Sequence, residues 1–255
     1  MIDDKSAEEA RYDRRAVLLH DEITSGKRSA GVESVPPFLR SPYAFYESCI
    51  RERVRHGQSV LEIGSGTGEF TGAALGAGAV VTATDISEKS LAALAARFGT
   101  VSDRLTTRRA DMEGLPFNGE SLDMVISAGS LSYGDNETVL GEIHRVIKTG
   151  GCYICVDSLN HNPIYRINRY LHHRRGERTA STLRRMPTVR LIEDYGRRFG
   201  RMEVRYFGAA SWAMPFASKF IGDEAAATLS DRIDGWFQIR RSAFKFVMIA
   251  TKTGV

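Results

Sequence analysis

The stretch Val60 to Thr71, VLEIGSGTGEFT, decides the fold. It opens as a short apolar strand (Val60, Leu61, Ile63) and runs into three alternate glycines, Gly64, Gly66 and Gly68. Glycine accepts positive φ and lets a ligand come close to the backbone. A helical stretch follows from Glu69 to about Leu75. An acid, Glu62, sits two residues before the first glycine. Taken alone, a glycine-rich turn is a weak signal, so the reading depends on the sequence around it.

Downstream, strands and helices alternate. Val80 to Thr84 reads as a second strand ending at Asp85, and Ser87 caps a helix with Leu91, Leu94 and Phe98 on one side. Leu105 to Ala110 reads as strand three and Ser121 to Ser127 as strand four. A helix is expected from Asn136 to Lys148, stopped by Gly150-Gly151, before strand five at Cys152 to Val156. This rhythm predicts an α/β fold with a doubly wound, mostly parallel sheet. The rhythm then breaks at Asn162-Pro163, where an insertion begins as a helix with Ile164, Ile167 and Leu171 expected to face inward. Gly176 to Ser181 reads as a loop, and Thr188 to Phe199 as a helix ended by Gly200. Strand six is expected at Met202 to Phe207, a largely apolar helical stretch over 209–238, and a last strand at Ala243 to Ala250.

Upstream, residues 1 to about 40 read as a polar, flexible lead, and Ser41-Pro42 as the N-cap and first residue of a helix carrying Tyr43, Tyr46, Ile50 and Val54. The expected organisation is therefore a lead and packing helix over 1–57 and a catalytic domain over 58–255, with cap insertions at about 159–200 and 209–240.

Composition narrows the class. The chain of 255 residues is long enough to bury a full core. It has no run of about 18 apolar residues, and its charged start lacks the apolar core of a secretory signal. Three cysteines make no disulfide framework, and together these features lead us to expect a cytoplasmic protein. Cys152 and Cys155 lie three apart in a strand and so point to opposite faces, as core residues do. Charge is unevenly placed. His161 to Arg205 holds twelve arginines, no lysine and four acids, while the whole chain nets only +4. Such a local field favours an anionic partner unless the arginines pair within the fold.

A ribose needs an acceptor for its hydroxyls, and open α/β sheets hold ligands beyond the carboxyl ends of their strands. Asp85 stands there. The spacing Gly64-x-Gly66-x-Gly68 departs from the dinucleotide fingerprint G-x-G-x-x-G. Glu62 would repel a pyrophosphate and attract an ammonium group. The stretch around Glu62 resembles the first motif of class I S-adenosylmethionine (SAM)-dependent methyltransferases, (D/E)-x-G-x-G-x-G. Asp111-Met112 in RADMEGLPF resembles the family's third motif, Leu122 to Ser127 its fourth strand, and EIHRVIKTGG at 142–151 its E-x-x-R-V-L-K-P-G-G helix end, with Thr149 in the proline position. The resemblance implies SAM as cofactor and a seven-stranded, Rossmann-like sheet in the order 3-2-1-4-5-7-6, with strand seven antiparallel. It implies a cofactor site of Glu62, Gly64, Ser65, Gly66, Gly68, Asp85, Ile86, Asp111, Met112 and Ala128.

Acceptor chemistry is expected from the ends of strands four and five, Gly129 to Tyr133 and Asp157 to Asn162. His161 is the candidate base and Asp157 its orienting partner or a second candidate. The bland reading of His161 is a loop residue capping the following helix. Tyr133, Arg166, Arg169, Arg174 and Arg175 are the candidate acceptor contacts, since guanidinium forks match phosphate oxygens. The segment from Ser158 to Thr188 and the closing RRSAFKFVMIATK resemble bacterial methyltransferases associated with surface-polysaccharide assembly. That resemblance implies O-methylation of a sugar or glycan hydroxyl on an anionic carrier. Alternatives are another small acceptor, such as a quinone, lipid or secondary metabolite, with Trp212 to Ile221 lining an apolar pocket or touching a membrane, and, further off, an RNA methyltransferase or a non-catalytic partner. Nucleobase amino-methylation is disfavoured because Ser127-Ala128-Gly129-Ser130 replaces (N/D/S)-P-P-(Y/F) after strand four. Nothing in the sequence calls for a metal. A homodimer and peripheral membrane contact stay open.

Overall fold

A computed structural model describes residues 4–25, 27, 29–99, 103–175 and 179–254. The sheet has seven strands, β1 (Ser59–Ile63), β2 (Val80–Asp85), β3 (Leu105–Arg109), β4 (Leu122–Ala128), β5 (Ile147–Ser158), β6 (Gly200–Phe207) and β7 (Lys245–Lys252). Their order is β3-β2-β1-β4-β5-β7-β6. The first five pair in parallel, and β7 runs antiparallel to both β5 and β6. This is the arrangement that the motif order implies.

The helices are α1 (Asp4–Thr24), α2 (Arg40–Arg53), α3 (Thr71–Gly76), α4 (Glu88–Phe98), α5 (Asn136–Val146), α6 (Pro163–Arg174), α7 (Ala180–Arg184), α8 (Val189–Phe199), α9 (Met214–Ile221) and α10 (Asp223–Trp236). Side-chain caps fix several starts. Ser87 accepts from the Ser90 amide, Asp135 from Thr138, Asn162 from Ile164 and Thr188 from Leu191. Strand alternation sorts the core into two layers. Tyr153 and Cys155 pack with α5 and α8 residues such as Ile143 and Phe199. Cys152, Ile154 and Val156 face the opposite layer, with Tyr46 and Ile50 of α2. All three cysteines are buried free thiols, and burial pushes Cys152 up to about 11.

Four local expectations give way. The region read as a flexible lead contains the 21-residue helix α1. Ser41 does not cap α2, because a 3₁₀ turn at Pro37–Leu39 feeds the helix two residues earlier, with Leu39 at the N-cap. The α5 helix stops at Val146 rather than Lys148, because Lys252 Nζ binds the carbonyls of His144 and Ile147 at 3.0 Å each. Finally, α6 is turned over. Its buried residues are Tyr165 and Arg169, while Ile164, Ile167 and Leu171 are exposed. The expected loop at 176–181 falls partly outside the described residues, and Thr179 caps α7 within it. No helix among the described residues is long and apolar enough to cross a membrane.

Candidate active site

The strand order reverses between β1 and β4, and a cavity of about 430 Å³ opens there at the strands' carboxyl ends. Of the ten residues expected at the cofactor, nine line it: Glu62, Gly64, Ser65, Gly66, Asp85, Ile86, Asp111, Met112 and Ala128. Gly68 does not. A Cβ there would meet Leu94 Cγ at 2.8 Å and Phe98 Cε2 at 3.0 Å, so this glycine serves the packing of α4 against the turn. At Gly66 a Cβ would find nothing nearer than Glu69 Oε2 at 3.7 Å. Its missing side chain leaves room on the cavity side.

Three acids are spread along the floor. Glu62 is 2% exposed and accepts from Thr71 Oγ1 at 2.6 Å. Burial, with smaller repulsion from Glu69 and Asp85, pushes its carboxyl up to about 8 despite the Thr71 bond. A cation placed beside it would be strongly attracted to the ionised form. Asp85 accepts one backbone amide on each oxygen, Gly66 N and Ser87 N, both at 2.9 Å. Each carboxylate oxygen keeps lone-pair capacity for a hydroxyl. Burial raises Asp85 above the usual carboxylate range, and those amides oppose the rise. Asp111 is partly exposed and accepts from the Glu113 amide at 2.9 Å. Two buried hydroxyls on the cavity wall, Ser65 Oγ and Ser130 Oγ, have no partner among the described residues. Buried polar atoms of this kind are costly unless a ligand completes them. The donor and acceptor set fits SAM: an acid for the ammonium, an acid for the ribose, and Asp111 with the Met112 backbone for the adenine.

Helix α1 closes the cavity from above. Lys5 Nζ bonds Asp111 Oδ2 and Glu113 Oε2, each at 2.6 Å. Glu9 binds Arg109 at 2.7 Å, and Asp13 accepts from Ser87 Oγ at 2.6 Å. Buried Glu8 accepts from Thr182 Oγ1 at 3.0 Å and pairs with Arg11, which reaches Tyr133 Oη at 3.2 Å. The Tyr12 ring meets Tyr133 edge-on at 5.6 Å. None of these α1 residues is suggested by the motif pattern. Their neighbours are about a hundred residues away in the chain, so no local spacing marks them.

Tyr133, Asp157, Ser158, Tyr43 and Lys245 also line the cavity. Asp157 is 2% exposed, accepts from Leu131 N at 3.0 Å and from Ser158 N at 2.6 Å, and is raised by burial against the pull of Lys245. Lys245 Nζ lies 3.3 Å from Ser158 Oγ and 4.9 Å from the Tyr43 ring centroid. A lysine directly before the apolar run Phe246 to Ala250 is the sequence signal that could have flagged it. Tyr43 stacks on Phe70 at 4.8 Å, so α2 contributes to the cavity as well as to packing.

His161 is not in the cavity lining. Its Nε2 accepts from the Val189 amide at 2.9 Å and caps the first turn of α8. Burial, then Arg241 and Arg166, lower it below the ordinary histidine value, which keeps the ring neutral for that bond. The expected arginine contacts also fall outside. Arg169 is buried, donates to Leu159 O at 2.9 Å and lies over the Tyr165 and Phe244 rings. Arg166 and Arg174 on α6 and Arg175 at its C-cap are exposed, and none lines the cavity.

The fold is that of class I SAM-dependent methyltransferases, and the chemistry of the cavity's acids fits SAM. Residues 60–151 match the family model described as a methyltransferase domain. The chain is similar to a demethylmenaquinone methyltransferase of Clavibacter sepedonicus, 36% identical over 112 residues, covering 43% of this chain and 45% of that one. The enzyme of the same name from Lactococcus lactis is 28% identical over 186 residues, covering 64% and 74%. Proteins of unassigned function from Mycobacterium tuberculosis are 32% identical over 111 residues, and the match spans 39% of their length. Among solved structures, Haemonchus contortus phosphoethanolamine N-methyltransferase 2 with SAM superposes with a TM-score of 0.57 at 20% identity, covering 82% and 52%. Geranyl diphosphate C-methyltransferase from Streptomyces coelicolor, with S-adenosylhomocysteine, gives 0.55 at 18%, covering 82% and 79%. These two share the fold.

Proposed function

We propose that the protein transfers the SAM methyl group to a small amphiphilic acceptor, of quinol or phenolic-lipid type, held between Tyr133, Asp157 and Lys245. The observation that carries this reading is the character of the acceptor side. It offers aromatic and thioether surface (Tyr12, Tyr43, Tyr133, Met186) around one buried carboxylate and one buried ammonium. The reading of a glycan hydroxyl on a diphosphate carrier relied on Arg166, Arg169, Arg174 and Arg175, which lie off the cavity. The demethylmenaquinone methyltransferases among the similar proteins support a quinone-type acceptor.

Bound SAM supplies an electrophilic methyl on sulfur. Glu62, Asp85 and Asp111 would hold the two ends of SAM, and holding donor and acceptor together would supply much of the acceleration. The acceptor oxygen or ring carbon forms the new bond to carbon as the sulfur–carbon bond breaks, and the acceptor's proton passes to Asp157. Burial suits Asp157 to that task, because a raised carboxylate is a stronger base. Lys245 stabilises the anion that develops on the acceptor, and α1 with Tyr12 excludes water.

The test is transfer of label from SAM to quinols, phenolic lipids and nucleotide sugars. Quinols or phenolic lipids should be methylated, and Asp157→Asn should lower kcat by about 100-fold with SAM affinity unchanged. Methylation of nucleotide sugars alone, or an Asp157→Asn enzyme of full activity, would overturn the reading.

A further inference from the structure

Of the fifteen large apolar side chains exposed among the described residues, twelve lie between residues 164 and 239. They are not scattered. On α6 the stripe Ile164, Ile167 and Leu171 faces out, with Tyr170 beside it, while Tyr165 and Arg169 hold the helix down. On α9, Phe216 and Phe220 lie one turn apart, and Phe220 is 89% exposed. Trp236 at the end of α10 is 76% exposed and is followed by exposed Phe237 and Ile239.

The segments meet at their buried roots. The Tyr165 ring lies 4.5 Å from Phe244, and its hydroxyl bonds Ser211. Asn162 Nδ2 donates to Ser242 O at 3.1 Å, and Ser242 Oγ donates to Ala209 O at 2.7 Å. The apolar groups of α6, of α9 and of the chain after α10 therefore project from one part of the molecule. This cluster runs into Lys245 at the acceptor side of the cavity.

Charge on this face has one sign. Residues 161–175, 208–222 and 235–245 contain no acid. They carry Arg166 and Arg174 on α6, Arg175 at its C-cap, Lys219 on α9, and Arg240 and Arg241 beyond α10. Three of the four acids of α10 are engaged elsewhere, and Asp223 stands in the helix's first turn. Asp231 accepts from Ser41, Glu224 lies 3.9 Å from Arg40, and Asp234 takes the amides of Gly208 and Ala209.

We propose that this face docks on an anionic lipid bilayer. Helices with an outward apolar stripe flanked by cations, together with aromatic side chains, seat in the headgroup region, and anionic headgroups attract the cations. A symmetric dimer through the same face would set cation against cation, because an isologous interface pairs a patch with itself. The proposal goes beyond the acceptor assignment, since vesicle binding needs neither SAM nor turnover.

The experiment is co-sedimentation of the full chain with phosphatidylcholine vesicles, with and without phosphatidylglycerol, alongside light scattering without lipid. The protein should be monomeric in solution and bind the anionic vesicles at least about tenfold better than the neutral ones. The double variant Phe220→Ser/Trp236→Ser should lose about tenfold or more of that binding with its melting temperature unchanged, because both side chains are exposed. Arg174→Ala/Arg175→Ala should weaken binding and flatten its salt dependence. Wild-type protein that stays with the supernatant on anionic vesicles overturns the proposal. So does a double variant that binds like wild type, or a wild-type dimer that Phe220→Ser/Trp236→Ser dissociates.

Discussion

We expect Glu62 to couple SAM binding to a proton. Burial lifts its carboxyl to about 8 from an ordinary 4.5. At about pH 6.5 nearly every apoprotein molecule therefore carries that proton, while the amino group of free SAM is still an ammonium. Pairing carboxylate with ammonium in the cavity requires the proton to leave. Binding should thus release about one proton per site, and SAM affinity should rise about tenfold between pH 6 and 7. Calorimetry in buffers of different ionisation enthalpy reads the proton directly. Glu62→Gln should bind weakly, with no proton release from this site. The same shift has a sign for folding. A carboxyl raised in the folded state favours folding relative to higher pH; that contribution is complete below about 4.5 and is lost as pH rises through about 8. Apoprotein melting should fall across that window more steeply than in Glu62→Gln, and SAM should offset the loss. Calorimetric heats that do not depend on the buffer, with an affinity flat from about pH 6 to 7, would refute the reasoning.

The glycine turn and its surroundings yield three further expectations. Gly68→Ala should cost about 2–4 kcal/mol in chemical denaturation, from positive φ plus collision with Leu94 and Phe98. Gly66→Ala meets open space, so it should cost only about 1–2 kcal/mol yet weaken SAM binding sharply; equal losses at the two positions would mean the turn has no cavity side. His161→Ala should keep its turnover and lose about 1 kcal/mol of stability through the uncapped Val189 amide, whereas a collapse of activity at full stability would restore it as a base. Lys5→Ala should speed SAM dissociation about two- to fivefold in stopped flow, since it removes two partly exposed ion pairs that hold α1 over Asp111.

The centre of the sheet was readable because β1, β2, β4 and β5 each carry their own signal: an apolar run, then an acid or small residue near the carboxyl end. Glu62, Asp85 and Asp157 all occupy that position. The parts that were not readable depend on contacts distant in sequence. Helix α1 is polar on most of its surface and is held by Asp111, Arg109, Ser87 and Thr182, so its composition resembles that of a solvated lead. Helix α6 misleads for a related reason. Apolar spacing identifies a stripe but not the side on which the protein lies, and here Tyr165 and Arg169 are anchored to Gly208, Ser211 and Leu159 instead. His161 closely follows β5, which carries Asp157 near its end, yet the amide of Val189 claims its nitrogen, a donor 28 residues on. Proximity in sequence to a strand end favours a site residue; the direction of a side chain in a loop is set by whichever buried amide lacks a partner.

We propose that one cavity holds SAM through Glu62, Asp85 and Asp111. The most direct measurement is calorimetric titration of SAM into wild-type protein and into Asp85→Ala. We expect one site per chain in the wild type and a loss of about tenfold or more in the variant, since a ribose acceptor is removed. Absence of binding to the wild type, or an affinity unchanged by Asp85→Ala in a folded protein, would contradict it.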